Sequence, residues 1–349
     1  MLEIDGSLYS GSGTIVREAV ALAALTGKAI HLFNARVKRR KPGLRRQHAQ
    51  AVEAIRQLVG GTTEGVAPGS RDFVFRPGAP QRLQHYCWDI GSAGSTTALA
   101  LALLPVLAFA AVPVSIELRG GLFQDFAPSF FHLEHVLLPL LKRMGFNASV
   151  RMERPGYVPT GGGIWHLTAM PARGALQPLI LDEARVIERI WGIALSSRLK
   201  ERSVSDRMAE ALKRSLSAAG HRAEIEVLYD ESAPQAGASL AVFADFSSGA
   251  RIGADRAGAL RRSAEAIGKY VARQLLEDMK TGATLDRFAS DQIVPLAALA
   301  DGESRFLIPR LTEHIESNAW LCREFLGAEI KVEGHELVVR GVGFRARTS

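Results

Sequence analysis

The stretch between Arg36 and His48 concentrates residues that bind anions. Seven of the eleven residues from Arg36 to Arg46 are basic, and an apolar-periodic segment follows them. A helix start presents unpaired backbone N–H groups and a partial positive charge. Arginines added there make a polyanion site, for which phosphate is the best-suited anion. A solvated basic face is the alternative that charge alone leaves open.

The segment after the basic run has the periodicity of a helix. One of its faces carries four apolar residues, Leu44, Val52, Ile55 and Val59. His48 falls on the same stripe. Two interpretations of this histidine stay open: it packs in the core, or, because an arginine cluster lies beside it, it contacts phosphate.

Three Gly/Ser-rich turns recur, at Ser10–Gly13, Gly91–Ser95 and Thr160–Gly163. The first two precede predicted helices, and each turn lets backbone N–H groups approach an anion closely. None has the Gly-Lys-Ser/Thr ending of the Walker motif or the spacing of a dinucleotide-binding turn. Beside the basic run they favour binding of nucleotide or RNA phosphate.

His314 lies near a predicted helix start, in Leu311-Thr-Glu-His-Ile-Glu-Ser-Asn318. Composition alone is compatible with a capping or solvent-facing histidine as well as a reactive one. The sequence has no HExxH motif and no paired-histidine spacing for a metal.

The bulk composition limits the class of protein. The chain has 349 residues, a net charge of +7 and two cysteines. That length holds one large domain or two modest ones, and the mild basic excess suits a nucleic-acid or nucleotide partner. Cys87 and Cys322 form no CxxC pair, so we expect free thiols in a reducing compartment.

The sequence contains no segment typical of targeting or membrane insertion. Met1–Asp5 lacks the basic and apolar regions of a signal peptide. The most apolar stretch, Ala98–Ile116, contains Pro105 and Pro113 and is typical of a buried helix followed by a strand. We therefore expect a cytoplasmic protein without a membrane partner.

A loose repeat of a Gly/Ser-rich turn, a helix and a strand runs along the chain. Its four copies begin near Ser10, Gly91, Gly120 and Asp291. Such alternation predicts stacked α/β units with helices against a sheet face.

The composition changes near residue 182. Beyond it charged residues are denser, and helical patterns cover Ser205–Ala219 and Ala254–Met279. We expect a smaller α/β domain over residues 183–280, inserted between the third and fourth units of a large domain. The large domain comprises residues 1–182 and 281–349.

Five motifs together carry a resemblance to a known family. In chain order they are Lys41-Pro-Gly-Leu-Arg-Arg-Gln-His48, Gly91-Ser-Ala-Gly-Ser95, Gly156-Tyr-Val-Pro-Thr-Gly-Gly-Gly163, Ser290-Asp-Gln-Ile293 and His314-Ile-Glu-Ser-Asn318. Over nearly the whole chain the sequence resembles the RNA 3′-terminal phosphate cyclase family. The resemblance implies an α/β fold, with a large domain of repeated ββαβαβ-type units akin to enolpyruvyl transferases and a smaller inserted α/β domain.

The resemblance also implies a reaction, a ligase-type nucleotidyl transfer. ATP adenylylates an active-site histidine, and AMP then moves to an RNA 3′-phosphate. The vicinal 2′-hydroxyl attacks, which gives a 2′,3′-cyclic phosphate and releases AMP. The implied cofactors are ATP and a divalent metal, Mg²⁺ or Mn²⁺, and the implied partner is an RNA 3′-phosphate end.

Residue roles follow from the matched positions. His314 matches the nucleophile, Phe288 a position where an aromatic stacks on adenine, and Pro128 the facing wall. The other nucleotide-site positions are Asp291, Gln292, Gly13 and Thr14. The positions that bind RNA or phosphate are Arg17, Arg36, Arg39, Lys41, Arg46, Gln47 and His48.

The chain departs from the family pattern at the first turn. The metal-binding Glu of the family is Ser10 here, the second Gly is Ser12 and the Gln is Thr14. A hydroxyl is a far weaker ligand than a carboxylate for Mg²⁺ or Mn²⁺. Three explanations stay open: ATP holds the metal, catalysis is weakened, or another carboxylate substitutes, namely Asp5, Asp125 or Asp291.

Two further positions differ, and other functions remain as alternatives. Leu101 replaces a family Gln, and Phe123-Gln124-Asp125 replaces an Asp-Asn-Pro stretch. The second hypothesis is therefore a non-catalytic or weakly active RNA-binding or RNA-processing factor, although His314 argues against the ribosome-assembly relatives, which lack it. A third, an enolpyruvyl transferase, rests on fold analogy alone.

Overall fold

The computed structural model describes residues 1–125 and 127–346, and its strands form four sheets of four strands each. Three of these sheets share one topology. In each, the first two strands pair in parallel, and the last two add antiparallel in the order first, second, fourth, third. The same pattern in three places indicates three structural repeats.

The first two repeats are continuous in sequence. The elements of the first are β1 Leu2–Asp5, α1 Gly13–Thr26, β2 Ile30–Phe33, α2 Arg46–Leu58, β3 Thr62–Glu64 and β4 Phe73–Arg76. Those of the second are β5 His85–Asp89, α3 Thr96–Ala108, β6 Val114–Gly120, α4 Phe130–His132, a π-helical turn Leu133–Leu137, α5 Leu138–Arg143, β7 Asn147–Arg154 and β8 Gly163–Met170. Each repeat has the order βαβαββ.

The third repeat begins with β9 Ile180–Leu181 and is then interrupted by the fourth sheet. The interrupting elements are β10 Ile187–Ser197, a 3₁₀ turn Lys200–Arg202, α6 Val204–Ala218, β11 Glu224–Asp230, β12 Gly237–Phe246, β13 Arg251–Ala257 and α7 Ala264–Lys280. The repeat resumes with α8 Ala289–Gln292, α9 Val294–Leu299, β14 Glu303–Leu307, α10 Glu313–Leu326, β15 Glu329–Glu333 and β16 Glu336–Arg340.

The α/β class with repeated units is confirmed, but the prediction of four units is wrong. The units predicted to begin at Gly91 and Gly120 are two halves of one sheet, because β5 and β6 pair with each other. The interruption accordingly lies inside the third repeat, after β9. The proposed domain boundaries at residues 182 and 281 stay a prediction.

One predicted helix is also wrong in its first part. The pattern over Ala254–Met279 was assigned to a helix, yet residues Arg251–Ala257 form β13 and pair antiparallel with β12. The helix begins only after Ser263, whose side chain accepts a hydrogen bond from the Ala266 backbone N–H. Sheet pairing outweighed the local helical pattern.

Helix α1 is enclosed by other helices next to the site. Every residue from Thr14 to Ala23 is buried, and the helix packs against α2, α3 and α10. Ser12 caps its start, and Gly27, with φ of 73°, ends it in the left-handed conformation. The small residues of this helix allow three helices to surround it. None of the helices in the described ranges is long and apolar enough to cross a membrane.

Asp286 joins three parts of the molecule. Its carboxylate accepts hydrogen bonds from His132 Nε2 at 3.0 Å and from the Gly253 backbone N–H of β13 at 2.8 Å. It also accepts from the backbone N–H groups of Phe288 and Ala289, at 2.9 and 2.8 Å. Burial opposes its ionisation, but the charge and hydrogen bond of His132, together with the backbone N–H groups of Ala289 and Gly253, lower the pKa of Asp286.

Asp286→Ala should destabilise the protein by about 3–5 kcal/mol, because it removes one partner of a fully buried charged pair. Urea unfolding monitored by circular dichroism measures the loss. Asp182→Ala, at an exposed carboxylate, is the matched control and should change stability by less than about 0.5 kcal/mol. Equal stability of the two variants would contradict the role assigned to the pair.

Candidate functional site

The amino-terminal ends of four long helices meet at one place. They belong to α1, α2, α3 and α10, which have 14, 13, 13 and 14 residues. Hydrogen bonds and close packing between their first turns join each helix to a neighbour. Because each helix end carries unpaired N–H groups and a partial positive charge, their convergence favours an anion.

Hydroxyl groups and a histidine join α1 to α10. Thr14 Oγ1 lies 3.0 Å from His314 Nδ1. Ser10 Oγ lies 2.8 Å from Ser317 Oγ and 3.0 Å from Ser12 Oγ. These contacts hold the His314 ring against the first turn of α1.

The ring of His48 packs directly on Gly13. A Cβ atom on Gly13 would lie 2.1 Å from His48 Nε2, so only glycine lets the two helices approach this closely. His48 Nδ1 accepts a hydrogen bond from the Arg45 backbone N–H at 3.0 Å, which leaves the ring proton on Nε2. Burial, together with the charges of Arg36 and Arg17, lowers the pKa of His48 to about 3. The ring is therefore a neutral N–H donor beside Gly13.

The second glycine-rich turn joins α2 to α3. Gln47 Oε1 accepts a hydrogen bond from the Ser95 backbone N–H at 2.8 Å. Arg46 Nη1 donates to the Gly91 carbonyl at 2.6 Å. Two predicted phosphate-binding residues therefore fix the position of a glycine-rich turn, and Ser95 also caps α3.

The third turn, Thr160–Gly163, has a packing role. It leads into β8 and lies at no helix start. A Cβ atom on Gly161 would lie 2.7 Å from the carbonyl oxygen of Ser92, in the second turn. Gly161 is thus required by the close approach of two backbones.

The basic stretch forms a loop, residues 34–45, that precedes α2 and is called the basic loop. Arg36 Nη1 donates to two carbonyl groups within this loop, at 3.0 and 2.6 Å, and so closes it. Lys38 Nζ donates to the carbonyl of Tyr9 at 2.8 Å, which fastens the loop to the first turn. Five cationic residues of the loop are exposed, namely Lys38, Arg39, Arg40, Lys41 and Arg45.

Burial and two cations keep His314 uncharged. They lower its pKa from 6.5 to about 4, with burial as the largest cause and the charges of Arg17 and Arg39 next. Arg17 is buried, and its guanidinium lies 3.4 Å from Thr14 Oγ1 and from the Ala98 carbonyl. At neutral pH His314 is a neutral imidazole in a cationic environment.

Two buried carboxyl groups lie near Arg17. Burial raises the pKa of Asp291 to about 6, against the lowering effects of Gln292 and Arg17. Burial likewise raises the pKa of Glu18 to about 7, with Arg17 lowering it and Asp291 raising it. Glu18 Oε2 has no hydrogen-bond partner within the described ranges. Asn318 Nδ2 donates to the Asp291 carbonyl at 2.7 Å and ties α8 to α10.

Phe288 and Pro128 are connected through His132. The rings of His132 and Phe288 meet edge to face, with 5.7 Å between their centroids. Ser129, next to Pro128, accepts a hydrogen bond from the His132 backbone N–H at 3.2 Å. Phe288 and Pro128 are both half-buried and can therefore present apolar surface to a planar ring.

The described residues do not fit a metal held by protein carboxylates. Among them no group of three or more His, Cys, Asp or Glu is arranged to hold an ion. The hydroxyl of Ser10 is engaged with two other serines. Asp125 pairs with Arg262 at 2.7 Å and with Arg256 at 3.2 Å, and Asp5 caps its own turn. The carboxylates that could substitute for the family Glu are thus committed elsewhere or, like Asp291, buried.

Some of the predicted site residues are in direct contact, and others lie in the surrounding elements. Direct contacts connect a central set, Gly13, Thr14, Arg17, His48 and His314. Lys41 takes part in the basic loop through its carbonyl, which accepts from Arg36.

The site also contains residues to which the sequence assigned no role. Ser12 and Ser95 directly precede helix starts, and N-cap preference was the signal that could have identified them. Glu18 interrupts an apolar helix. Asp286 and His132 lie 154 residues apart, and no sequence pattern joins them.

Comparison with known proteins gives the family. The family model described as RNA 3′-terminal phosphate cyclase matches residues 8–332. A protein of that name from Methanopyrus kandleri is 35% identical, with 96% of each chain covered. Another from Hyperthermus butylicus is 38% identical over 97% of this chain and 95% of its own. A third, from Methylococcus capsulatus, is 37% identical over 95% and 93%.

A comparison of structures adds little to this. The enolpyruvyl transferase NikO from Streptomyces tendae matches with a TM-score of 0.24 and 14% identity, covering 97% of this chain and 50% of that one. That likeness is too weak to support an argument. The sequence comparisons are sufficient, and this chain belongs to the RNA 3′-terminal phosphate cyclase family.

Proposed function

We propose that this protein converts RNA 3′-terminal phosphate to a 2′,3′-cyclic phosphate with ATP, through a covalent His314–AMP intermediate. The observation that carries the proposal is the contact of His314 with Thr14 where four helix amino-termini converge. The chain belongs to the RNA 3′-terminal phosphate cyclase family, and its relatives carry that name, which supports an RNA 3′-phosphate as the substrate.

His314 is suited to act as the nucleophile. Its lowered pKa leaves the ring neutral, and only a neutral imidazole has a lone pair for attack on phosphorus. When Nδ1 carries the proton, it donates a hydrogen bond to Thr14 Oγ1, 3.0 Å away. Nε2 then keeps its lone pair and is the nitrogen that attacks.

The reaction proceeds in three displacements. Nε2 of His314 attacks the α-phosphorus of ATP, the bond from that phosphorus to the bridging oxygen breaks, and pyrophosphate leaves. An oxygen of the RNA 3′-phosphate next attacks the phosphorus of the His314–AMP, which breaks the N–P bond and regenerates the imidazole. The 2′-oxygen finally attacks the RNA phosphorus, loses its proton and expels AMP.

The cationic environment of His314 supports binding of the phosphates. Arg17 is buried beside Thr14, and His48 presents a neutral N–H donor next to Gly13. Donors fixed in this way stabilise charge on phosphate oxygens without further reorganisation. The exposed cations of the basic loop, above all Arg39, suit the RNA end, which must enter from solvent.

Phe288 and Pro128 would hold the adenine. Stacking on an aromatic ring tolerates any base, so polar groups must provide selectivity for ATP. Asp291 and Gln292, which follow Phe288 by three and four residues, are the predicted polar residues closest to it in sequence. Residues 1–125 and 127–346 offer no carboxylate cluster for a metal. A divalent ion, Mg²⁺ or Mn²⁺, would instead be held by the phosphates of ATP.

A non-catalytic RNA-binding factor is the second candidate. The altered first turn favours it, because Ser10 stands where the family has its metal-binding Glu, Ser12 where it has a Gly and Thr14 where it has a Gln. This candidate requires salt-dependent RNA binding without a protein–AMP adduct.

His314→Ala should abolish formation of the protein–AMP adduct, because no other nitrogen occupies its position. Incubation with radiolabelled ATP, followed by acid treatment, measures the acid-labile phosphoramidate. His85→Ala, at an exposed histidine, is the matched control and should label like the original protein. Equal labelling of His314→Ala, or no labelling of the original protein, would exclude the proposed intermediate.

Arg39→Gln and Arg46→Gln should weaken use of RNA ends more than formation of the adduct. A hydrogen bond between charged groups contributes about 1.5–3 kcal/mol, so kcat/KM for RNA should fall by about 10- to 150-fold. Cyclic-phosphate production and adduct yield are measured side by side. Arg82→Gln, an exposed arginine outside the site, is the control. An equal loss in both reactions would show that the arginines serve the nucleotide instead.

The rate of adduct formation should stay constant as the pH falls to about 5 and decline only near the pKa of His314, about 4. Because protonation removes the lone pair, activity is present above this pKa and lost below it. Arg39→Gln removes a nearby positive charge and should move the decline to higher pH. Single-turnover labelling across pH measures both effects. A decline centred at the ordinary value of 6.5 would contradict the assigned environment.

A further inference from the structure

An exposed aromatic pair lies beside the His314 site. Tyr9 is 40% exposed, and its ring centroid lies 5.8 Å from that of the half-buried Trp320, with 40° between the planes. Leu8 and Leu311 add exposed apolar surface nearby in sequence. Large apolar side chains that stay exposed close to a polar site indicate a binding surface.

The backbone at Tyr9 holds the ring in place at an energetic cost. Its φ of 43° lies in the left-handed region, which a bulky residue rarely adopts. Lys38 Nζ donates to the Tyr9 carbonyl at 2.8 Å, and the Ser10 backbone N–H donates to Ser317 Oγ at 3.3 Å. Neighbouring contacts therefore fix a strained residue, a pattern that is concentrated at functional positions.

The position of the pair relates it to both parts of the proposed site. On α10, Ser317 lies three residues after His314 and three before Trp320, so Ser317 is a neighbour of both on the helix surface, while His314 and Trp320 are about 120° apart around the axis. Lys38 links Tyr9 to the basic loop, where Arg39 is exposed. The aromatic surface thus adjoins the reacting histidine and a cationic segment.

We propose that Tyr9 and Trp320 form a stacking platform for a nucleobase of single-stranded RNA, a short distance upstream of the terminal phosphate. This proposal rests on the proposed function. An apolar ring surface beside exposed cations matches a strand that alternates planar bases with phosphates. A protein partner has no regular alternation of planar rings and negative charges, so it matches this surface less well. Stacking is tolerant of sequence, so the platform would bind RNA ends of many sequences.

The test compares aromatic and aliphatic side chains at the platform. Tyr9→Leu and Trp320→Leu remove the ring, and Tyr9→Phe is the matched control that keeps it. Each is assayed with a six-nucleotide RNA 3′-phosphate and with versions in which one internal nucleotide is an abasic ribose. The quantity measured is kcat/KM for cyclic phosphate divided by the rate of adduct formation, which corrects for damage to the first turn.

Loss of stacking should lower this ratio by about 5- to 150-fold in the leucine variants, and Tyr9→Phe should retain it. When the abasic ribose stands at the position of the stacked base, this ratio should fall by the same factor in the original protein. In the leucine variants the same RNA should lower the ratio no further. The proposal would be overturned if the leucine substitutions left the ratio unchanged, or if every abasic position lowered it equally in the original protein and in the leucine variants.

The outcome is separable from that of the proposed function. If no adduct forms with the original protein, the catalytic proposal fails, and the platform is then tested by the affinity for the same RNAs. Quenching of tryptophan fluorescence, absent in Trp320→Leu, reports that binding. If RNA quenched the tryptophan fluorescence of Trp320→Leu fully, the base would lie at another tryptophan, and the proposed stacking platform would be wrong.

Discussion

The site depends on the contact between the His48 ring and Gly13. A Cβ atom at Gly13 would lie 2.1 Å from His48 Nε2, so the first turns of α1 and α2 can meet only over a glycine. Thr14, the next residue, holds His314 at 3.0 Å. A single close approach between two helices therefore sets the position of the predicted nucleophile. A wider separation of the two helices would displace both the N–H donor His48 and the nucleophile His314.

Repetition explains why so many functional residues gather there. In each repeat a helix follows the carboxyl end of each of two parallel strands, so the helix starts of that repeat lie along one edge of its sheet. The starts of α1, α2, α3 and α10 are joined by direct contacts, and Pro128 and Phe288 lie just before α4 and at the start of α8. The fold thus supplies helix amino-termini, and the individual side chains adapt them to phosphate.

The sequence predicted local features well and spatial ones poorly. The predicted stripe is buried at all four positions, Leu44, Val52, Ile55 and Val59, because helix periodicity is a local property. Val52 and Ile55 lie within α2, whereas Leu44 precedes the helix and Val59 caps its end. The number of repeats was wrong, since pairing of β5 with β6 depends on residues far apart in sequence. The motifs identified His314 but not the burial that lowers its pKa, nor the paired Asp286 and His132, because these arise only from packing.

The interruption of the third repeat has a physical consequence for the nucleotide side of the site. It enters after β9, at the carboxyl end of a parallel strand, which is the edge where the helices begin. Its strand β13 therefore reaches Asp286, whose other hydrogen bonds hold the backbone of Phe288 and the ring of His132. Because a buried carboxylate is costly unless every partner is present, displacement of β13 would weaken the support of Phe288. The inserted sheet is thus coupled to the predicted adenine-binding ring through one buried side chain.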